Sequence, residues 1–276
     1  MIHTIRLVLI LAFVSISASA HAEDNAKLRN LLSLVGFDPF LASIPSAIIH
    51  SMEKSLNSEA DELKREAIGE LVAMHFSPSG VKQDILDSMA NTLSDAQLDE
   101  LSAYYSAGVG KRATELEVAT QQPGMEEVVE IEGLEILRWL IDSNDERLLA
   151  YERMVTATDA LELNLTLAMN MNYAVLSGMM GSPQLPYALT DEEILEIVSR
   201  QGEQMREYMI DAIFVIFAYT YREMSIEDVD AYATFLESDV SQAHFSSMNT
   251  ALQNALVPRV RAFGHELMVM MGVRQA

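Results

Sequence analysis

The chain has 276 residues, half of them apolar, with 41 acidic against 18 basic side chains and a net charge of −23. That balance argues against nucleic acid and anionic membrane surfaces as partners, since both need clustered Lys and Arg, and it favours solubility. Cysteine is absent, which excludes disulfides, thiol chemistry and Cys-ligated metal, and a chain of this length buries a core without such staples.

The first element is an address. Arg6, the apolar run from Leu7 to Ile16 and the small-residue site Ala20-His21-Ala22 predict a secretory signal peptide over residues 1–22, cleaved after Ala22. The run is shorter than the about 20 residues of a spanning helix. The sequence therefore predicts a periplasmic protein with no membrane span after signal cleavage.

Beyond residue 22 nearly every segment carries a helical period and none sustains the two-residue alternation of a strand, so an all-α, multi-helix bundle is expected. Lys27 to Val35 makes a first helix, stopped at Gly36, where a left-handed backbone meets no Cβ clash. Asp38-Pro39 and Ser43-Ile44-Pro45 restart short helices, because proline suits a first turn whose N–H has no partner. Ser58 caps a charged helix to about His75, and Ser77-Pro78 opens the next, to about Thr92. Ser94 with Gln97 forms a capping box ahead of Leu98, Leu101 and Tyr105, which share one face. A helix over Lys111 to Thr120 then breaks at Pro123-Gly124.

Met125 to Ile141 follows, and Ser143 to Asp145 restart one long helix to about Met180. Gly181-Ser182-Pro183 and Pro186 break the chain again. Thr190 with Glu193 forms another capping box whose helix continues to Glu223. Within it Ala212 to Tyr219 is apolar all round, which predicts a place at the centre of the bundle. Ser225 with Asp228 opens a short helix, and Ser238 or Asp239 the last long one, bent at Pro258. The expected organisation is an N-terminal helical unit over 23–124, linking helices over 125–189 and a C-terminal helical unit over 190–276.

A shift of 131 residues lays Leu93-Ser94 to Lys111 on Met224-Ser225 to Gln242. Ser94/Ser225, Asp99/Asp230 and Val109/Val240 are identical, and Leu98/Val229, Leu101/Tyr232, Tyr104/Phe235 and Tyr105/Leu236 agree in character. Each copy reads as a capped short helix, a small-residue turn and a second helix, so an internal repeat of two related helical units is one reading and two unrelated amphipathic helices the other. Leu93-Ser94-Asp95-Ala96-Gln97-Leu98, with Leu101, Tyr104-Tyr105 and Ala107-Gly108-Val109-Gly110-Lys111, resembles a helical domain-of-unknown-function family found in exported proteins of Gram-negative bacteria. That family's mark is a Leu-Ser/Thr cap, a Phe/Tyr-Tyr pair, then Ser-Pro-x-Gly and a basic residue. This chain has Ala107-Gly108 in place of Ser-Pro, and the second copy has Ser238-Asp239, with Ser241 in place of the glycine. The resemblance implies a helical periplasmic protein and no particular activity.

Chemical motifs are sparse. The histidines after the signal segment, His50, His75, His244 and His265, form neither a Glu-x-x-His pair nor a His-Glu-x-x-His zinc motif, and no nucleophile elbow, P-loop or dinucleotide pattern occurs. Glu126, Glu127 and Glu130 share a helical face, as do Glu192, Glu193 and Glu196, but both groups lie in first turns, where carboxylates oppose the helix dipole. Met169-Asn170-Met171, Met179-Met180, Met205 with Met209, and Met268 with Met270-Met271 fit core filling, an adaptable apolar groove, or Cu(I) ligation. Trp139 and Tyr104-Tyr105 are expected in the core.

No catalytic, cofactor or metal residue is assigned by these patterns. The leading expectation is a non-catalytic exported protein that binds a protein partner or an apolar ligand, with no nucleic acid and no cofactor. The alternatives are a hydrolytic or metal-assisted enzyme in which acids such as Glu126, Glu130, Glu192 and Glu196 converge, and a metal-handling protein built on its methionines.

Overall fold

The computed structural model describes residues 26–53, 62–122, 124–180 and 190–273, and all regular structure within them is helical. The order is α1 (26–34), α2 (Phe37–Glu53), α3 (Glu62–His75), α4 (Pro78–Met89), α5 (Asp95–Tyr105), α6 (Gly108–Thr120), α7 (Glu126–Ser143), α8 (Arg147–Thr158), α9 (Ala160–Met180), α10 (Asp191–Thr220), α11 (Ile226–Leu236) and α12 (Asp239–Val273). The all-α bundle is therefore as expected, and no described helix is long and apolar enough to cross a membrane. The expected signal peptide, the expected Ser58 cap, Pro123 and the expected break from Gly181 to Pro186 lie outside the described residues.

Local chemistry sets most helix ends. Ser94 Oγ accepts the Gln97 N–H at 3.4 Å while Gln97 Oε1 accepts the Ser94 N–H at 2.9 Å, the reciprocal pair of a capping box. Thr190 and Glu193 do the same at the start of α10. Ser225 Oγ takes the Asp228 N–H at 3.1 Å to start α11. Gly36 closes α1 at φ 71°, and a Cβ there would meet Val118 Cγ2 as well as a strained backbone.

Two expected boundaries are corrected. The stretch from Arg147 to Met180 is two helices, because Asp159 adopts a left-handed backbone, φ 53°. A short polar side chain tolerates that conformation, and α12 holds it in place. Gln242 Nε2 donates to Ala157 O at 2.5 Å and Asn249 Nδ2 to Thr158 O at 3.2 Å, supplying donors to carbonyls that a helix C-terminus leaves unpaired. Conversely, α2 runs straight through Pro45 instead of restarting there. The packing of α2 on α3 and α4 outweighs the one backbone bond that proline removes.

In the packing, α12 is the spine, lying against α3, α4, α5, α8 and α9, while α10 packs on α6, α7, α8 and α9. One hydrophobic core joins Leu28 of α1 to Leu267 of α12. Helices α7 and α10 approach backbone to backbone at Gly133, where a Cβ would come within 2.4 Å of Val215 O. The apolar run of α10 is less buried than expected: Ala218 and Tyr219 are enclosed, Phe214 and Phe217 are half-buried, and Ile216 is exposed. Its sides are divided between α7, α9 and an internal chamber. Trp139, expected in the core, is 57% exposed on α7, while Leu137 and Leu140 turn inward.

The 131-residue shift also relates helix ends. By it the close of α4 at Met89 meets that of α10 at Thr220, all of α5 meets all of α11, and the start of α6 at Gly108 meets that of α12 at Asp239. Leu93, Leu98, Leu101 and Tyr105 are buried, as are Met224, Val229, Tyr232 and Leu236. Tyr104 and Phe235 stack on one another, ring centroids 3.4 Å apart and 6° from parallel.

Candidate functional site

A half-buried glutamate draws the site together. Gly110, Ala113 and Thr114 form the buried stripe of α6, and Glu117 falls on the same stripe one turn further on. Tyr221, just after α10, donates its hydroxyl to Glu117 Oε1 at 2.7 Å, and Tyr232 of α11 donates to the same oxygen at 2.9 Å. Oε2 takes neither bond. Beside this group Thr220 Oγ1 donates to Thr120 Oγ1 at 3.1 Å, so the end of α10 is pinned to α6 at two polar points.

The turn after α10 is held from outside by two arginines. Arg112 Nη2 reaches Glu223 O at 2.8 Å and Arg147 Nη2 reaches Met224 O at 3.4 Å. Tyr221 is fixed in turn by an aromatic cluster with Tyr151, Phe217 and Tyr232, centroids 5.5 to 6.1 Å apart. Arg153 ties α8 to α11 by donating Nε to Glu237 Oε1 at 2.9 Å and Nη2 to Glu237 Oε2 at 2.6 Å. Glu117 is thus met by donors whose positions are set by packing.

Glu117 lines a chamber of about 400 Å³ at the junction of α2, α6, α8, α9, α10, α11 and α12. Its walls are mainly apolar: Phe37 and Phe40 from α2, Leu163 and Leu167 from α9, Met248 and Leu252 from α12. The exposed Gln121, Asn164 and Ile216 mark where it meets solvent. His244 of α12 also lines it; the ring is buried, and Nδ1 has no hydrogen-bond partner among the described residues. A buried polar atom without a partner costs free energy unless something else satisfies it.

Charge in this chamber is shifted by the surroundings. Burial pushes the Glu117 carboxyl above the usual carboxylate range, and the two tyrosine hydroxyls pull it part of the way back. Burial lowers His244 to about 4, so its imidazole is neutral at pH 7. Tyr221 and Tyr232 stay protonated, pushed up first by burial and then by the nearby Glu117 charge. The arrangement offers a carboxyl oxygen and an imidazole nitrogen, together with Gln121, Asn164, Asn249 and three threonines, in walls that are mainly apolar, the composition of a small-molecule site.

The acidic groups singled out in the sequence lie elsewhere. Glu126, Glu127 and Glu130 are exposed on α7, and Glu126 Oε2 accepts the Gly124 N–H at 2.9 Å; Glu192, Glu193 and Glu196 are exposed on α10, where Glu193 completes the cap. Among the described residues no group of three or more His, Asp or Glu side chains is placed to hold a metal. His75 Nε2 lies 3.2 Å from Glu266 Oε2, and His265 is exposed. Of the methionine groups, Met169 and Met205 lie between α9 and α10, where Asn172 Nδ2 donates to Met205 Sδ at 3.9 Å; the side chains of Met171, Met179, Met180, Met268 and Met271 are outside the described set. Glu117 escaped the sequence reading, although its place on the Gly110, Ala113, Thr114 stripe was a signal. Comparison with protein-family models, with curated proteins and with solved structures finds no match.

Proposed function

We propose that this is an exported helical protein that binds a small, largely apolar molecule in the chamber beside Glu117. The observation that carries the reading is that chamber, about 400 Å³ with apolar walls and the polar groups Glu117 and His244. Its size falls within the about 300–1,000 Å³ of small-molecule sites, at the lower end. Export rests on the Arg6, Leu7 to Ile16 and Ala20-His21-Ala22 pattern. We further propose that the chamber lies between two related helical units. The coincident helix ends and the stacking of equivalent positions Tyr104 and Phe235 support this, because self-contact of equivalent positions is what a two-fold interface produces.

The neutral dye N-phenyl-1-naphthylamine tests the binding reading. It should bind with one-to-one stoichiometry and a blue-shifted emission, and Leu167→Trp, which fills the chamber, should abolish this while leaving the helical circular dichroism intact. Unchanged binding by the tryptophan variant would remove the chamber from consideration. A second reading, a hydrolase, is favoured by the opposed shifts of Glu117 and His244 within one chamber, a pattern that acid–base pairs use. Turnover of nitrophenyl esters that is lost in both Glu117→Gln and His244→Gln would decide for it.

A further inference from the structure

We propose that the chamber's ligand is an apolar amine, held as an ammonium ion against Glu117 with its hydrocarbon part among Phe37, Phe40, Leu163 and Leu167. This rests on the binding reading above and specifies the class of molecule. Among the described residues that line the chamber, Glu117 is the acid and there is no Lys or Arg. An anionic headgroup would enter a mainly apolar cavity that offers it no countercharge and sets it beside Glu117, a costly arrangement for a buried ion. An ammonium meets a carboxylate that is already positioned: both tyrosine hydroxyls fall on Oε1, and Oε2 takes neither.

Two further features favour a cation. The Phe217, Tyr221 and Tyr232 rings stand around the same end of the chamber, and aromatic faces attract ammonium groups. The net charge of −23 draws cations toward the protein and repels anions over longer range. The unpartnered Nδ1 of buried His244 supplies a second polar point in the same walls, one that a neutral imidazole offers as an acceptor to an N–H donor. An amine has several such donors, whereas a carboxylate has none.

Calorimetry at physiological salt with n-octylamine, 1-octanol and octanoate tests this, because the three share a tail and differ in the head. The amine should bind at least about tenfold more tightly than either of the others, and Glu117→Gln, whose Oε1 still accepts from both tyrosines, should reduce the amine to the level of the alcohol. Equal binding of amine and alcohol, or tighter binding of octanoate, would overturn the amine assignment while leaving the apolar chamber standing. An amine preference that persists in Glu117→Gln would place the cation on the acidic surface and overturn it too. If none of the three binds and the neutral dye also fails, the chamber reading falls together with this one. Should Glu117→Gln not fold, Leu167→Trp takes its place: an amine preference lost when the chamber is filled supports the assignment, and one that persists puts the cation on the acidic surface and overturns it.

Discussion

The helix pair α5–α6 and the pair formed by α11 and the first half of α12 share a skeleton and differ in what they enclose. Both short helices start on a serine cap, both have eleven residues, and both turn a matching set of side chains inward. Even the identical aspartates act alike: Asp99 takes Lys27 of α1 at 2.9 Å, and Asp230 takes Arg153 of α8 at 2.5 Å. At the chamber the likeness ends. The shift sets Glu117 against Met248, Ala113 against His244 and Leu101 against Tyr232, so each helix pair carries polar groups where the other is apolar. A skeleton fixed by caps and apolar period tolerates such exchanges, because neither device depends on the chemistry of the chamber wall.

The sharpest way to break the comparison is to cut the core in each pair. Leu101 and Leu236 are fully enclosed, and either one replaced by alanine should cost about 2–5 kcal/mol in urea unfolding, through lost transfer energy and the cavity left behind. Both variants should unfold in one transition, since their side chains belong to one core. A biphasic melt for Leu236→Ala alone would separate the two pairs into independently stable bodies.

The next effect belongs to His244, which replaces an alanine of the first pair. Its folded-state value of about 4 lies below the ordinary 6.5, so the unfolded chain binds more protons between these pH values. Stability from this group is complete above pH 6.5 and is lost as pH falls toward 4, by about 3 kcal/mol in all. His244→Ala, which makes the second pair resemble the first, should flatten the stability profile between pH 4 and 6.5 in denaturant titrations. A profile with the same slope in the variant would show that another group is responsible.

These comparisons also show what a sequence displays. Caps at Ser94, Thr190 and Ser225 were legible because the donor, the acceptor and the helix start lie within four residues of one another. The break at Asp159 was not, because its carbonyls are satisfied by Gln242 and Asn249, more than eighty residues away. Trp139 was misplaced because α7 alternates inward and outward apolar residues so closely that type alone does not give direction. Glu117 was hidden for a different reason. The helical period sets it on the Gly110, Ala113, Thr114 stripe, away from Lys111, Arg112 and Glu115, but the hydroxyls that partner a carboxylate there come from Tyr221 and Tyr232, more than a hundred residues along the chain.

Glu117 should produce a pH effect of the opposite sign to that of His244. Its folded-state carboxyl is shifted upward, so the native state holds that proton more tightly than the unfolded chain does, and stability falls as pH rises from the ordinary carboxylate value through the raised one. Glu117→Gln keeps an oxygen for both tyrosines and carries no charge. The variant should therefore be more stable than the native protein at pH 8 and lose that advantage near pH 4. Equal melting temperatures at both pH values would mean that the carboxylate is solvated through the chamber mouth.

The smallest effect tests the caps themselves. Ser94→Ala and Ser225→Ala should each cost about 1 kcal/mol, the usual worth of a serine N-cap. They should not cost the same. Ser94 belongs to a box closed in both directions, with Gln97 Oε1 accepting the Ser94 N–H, whereas Ser225 has its single cap bond from the Asp228 N–H. Replacing Ser94 also takes from Gln97 Oε1 one of its two donors, the hydroxyl at 2.9 Å, and leaves it the backbone N–H alone, so this loss should be greater by a few tenths of a kcal/mol. Gln97→Ala should erase that difference and leave two caps of equal worth, measured as equal shifts of the urea midpoint at constant slope. If Ser225→Ala instead costs more, the Asp228 carboxylate at the start of α11 contributes to the second cap through the helix dipole, and Asp228→Asn would bring the pair level.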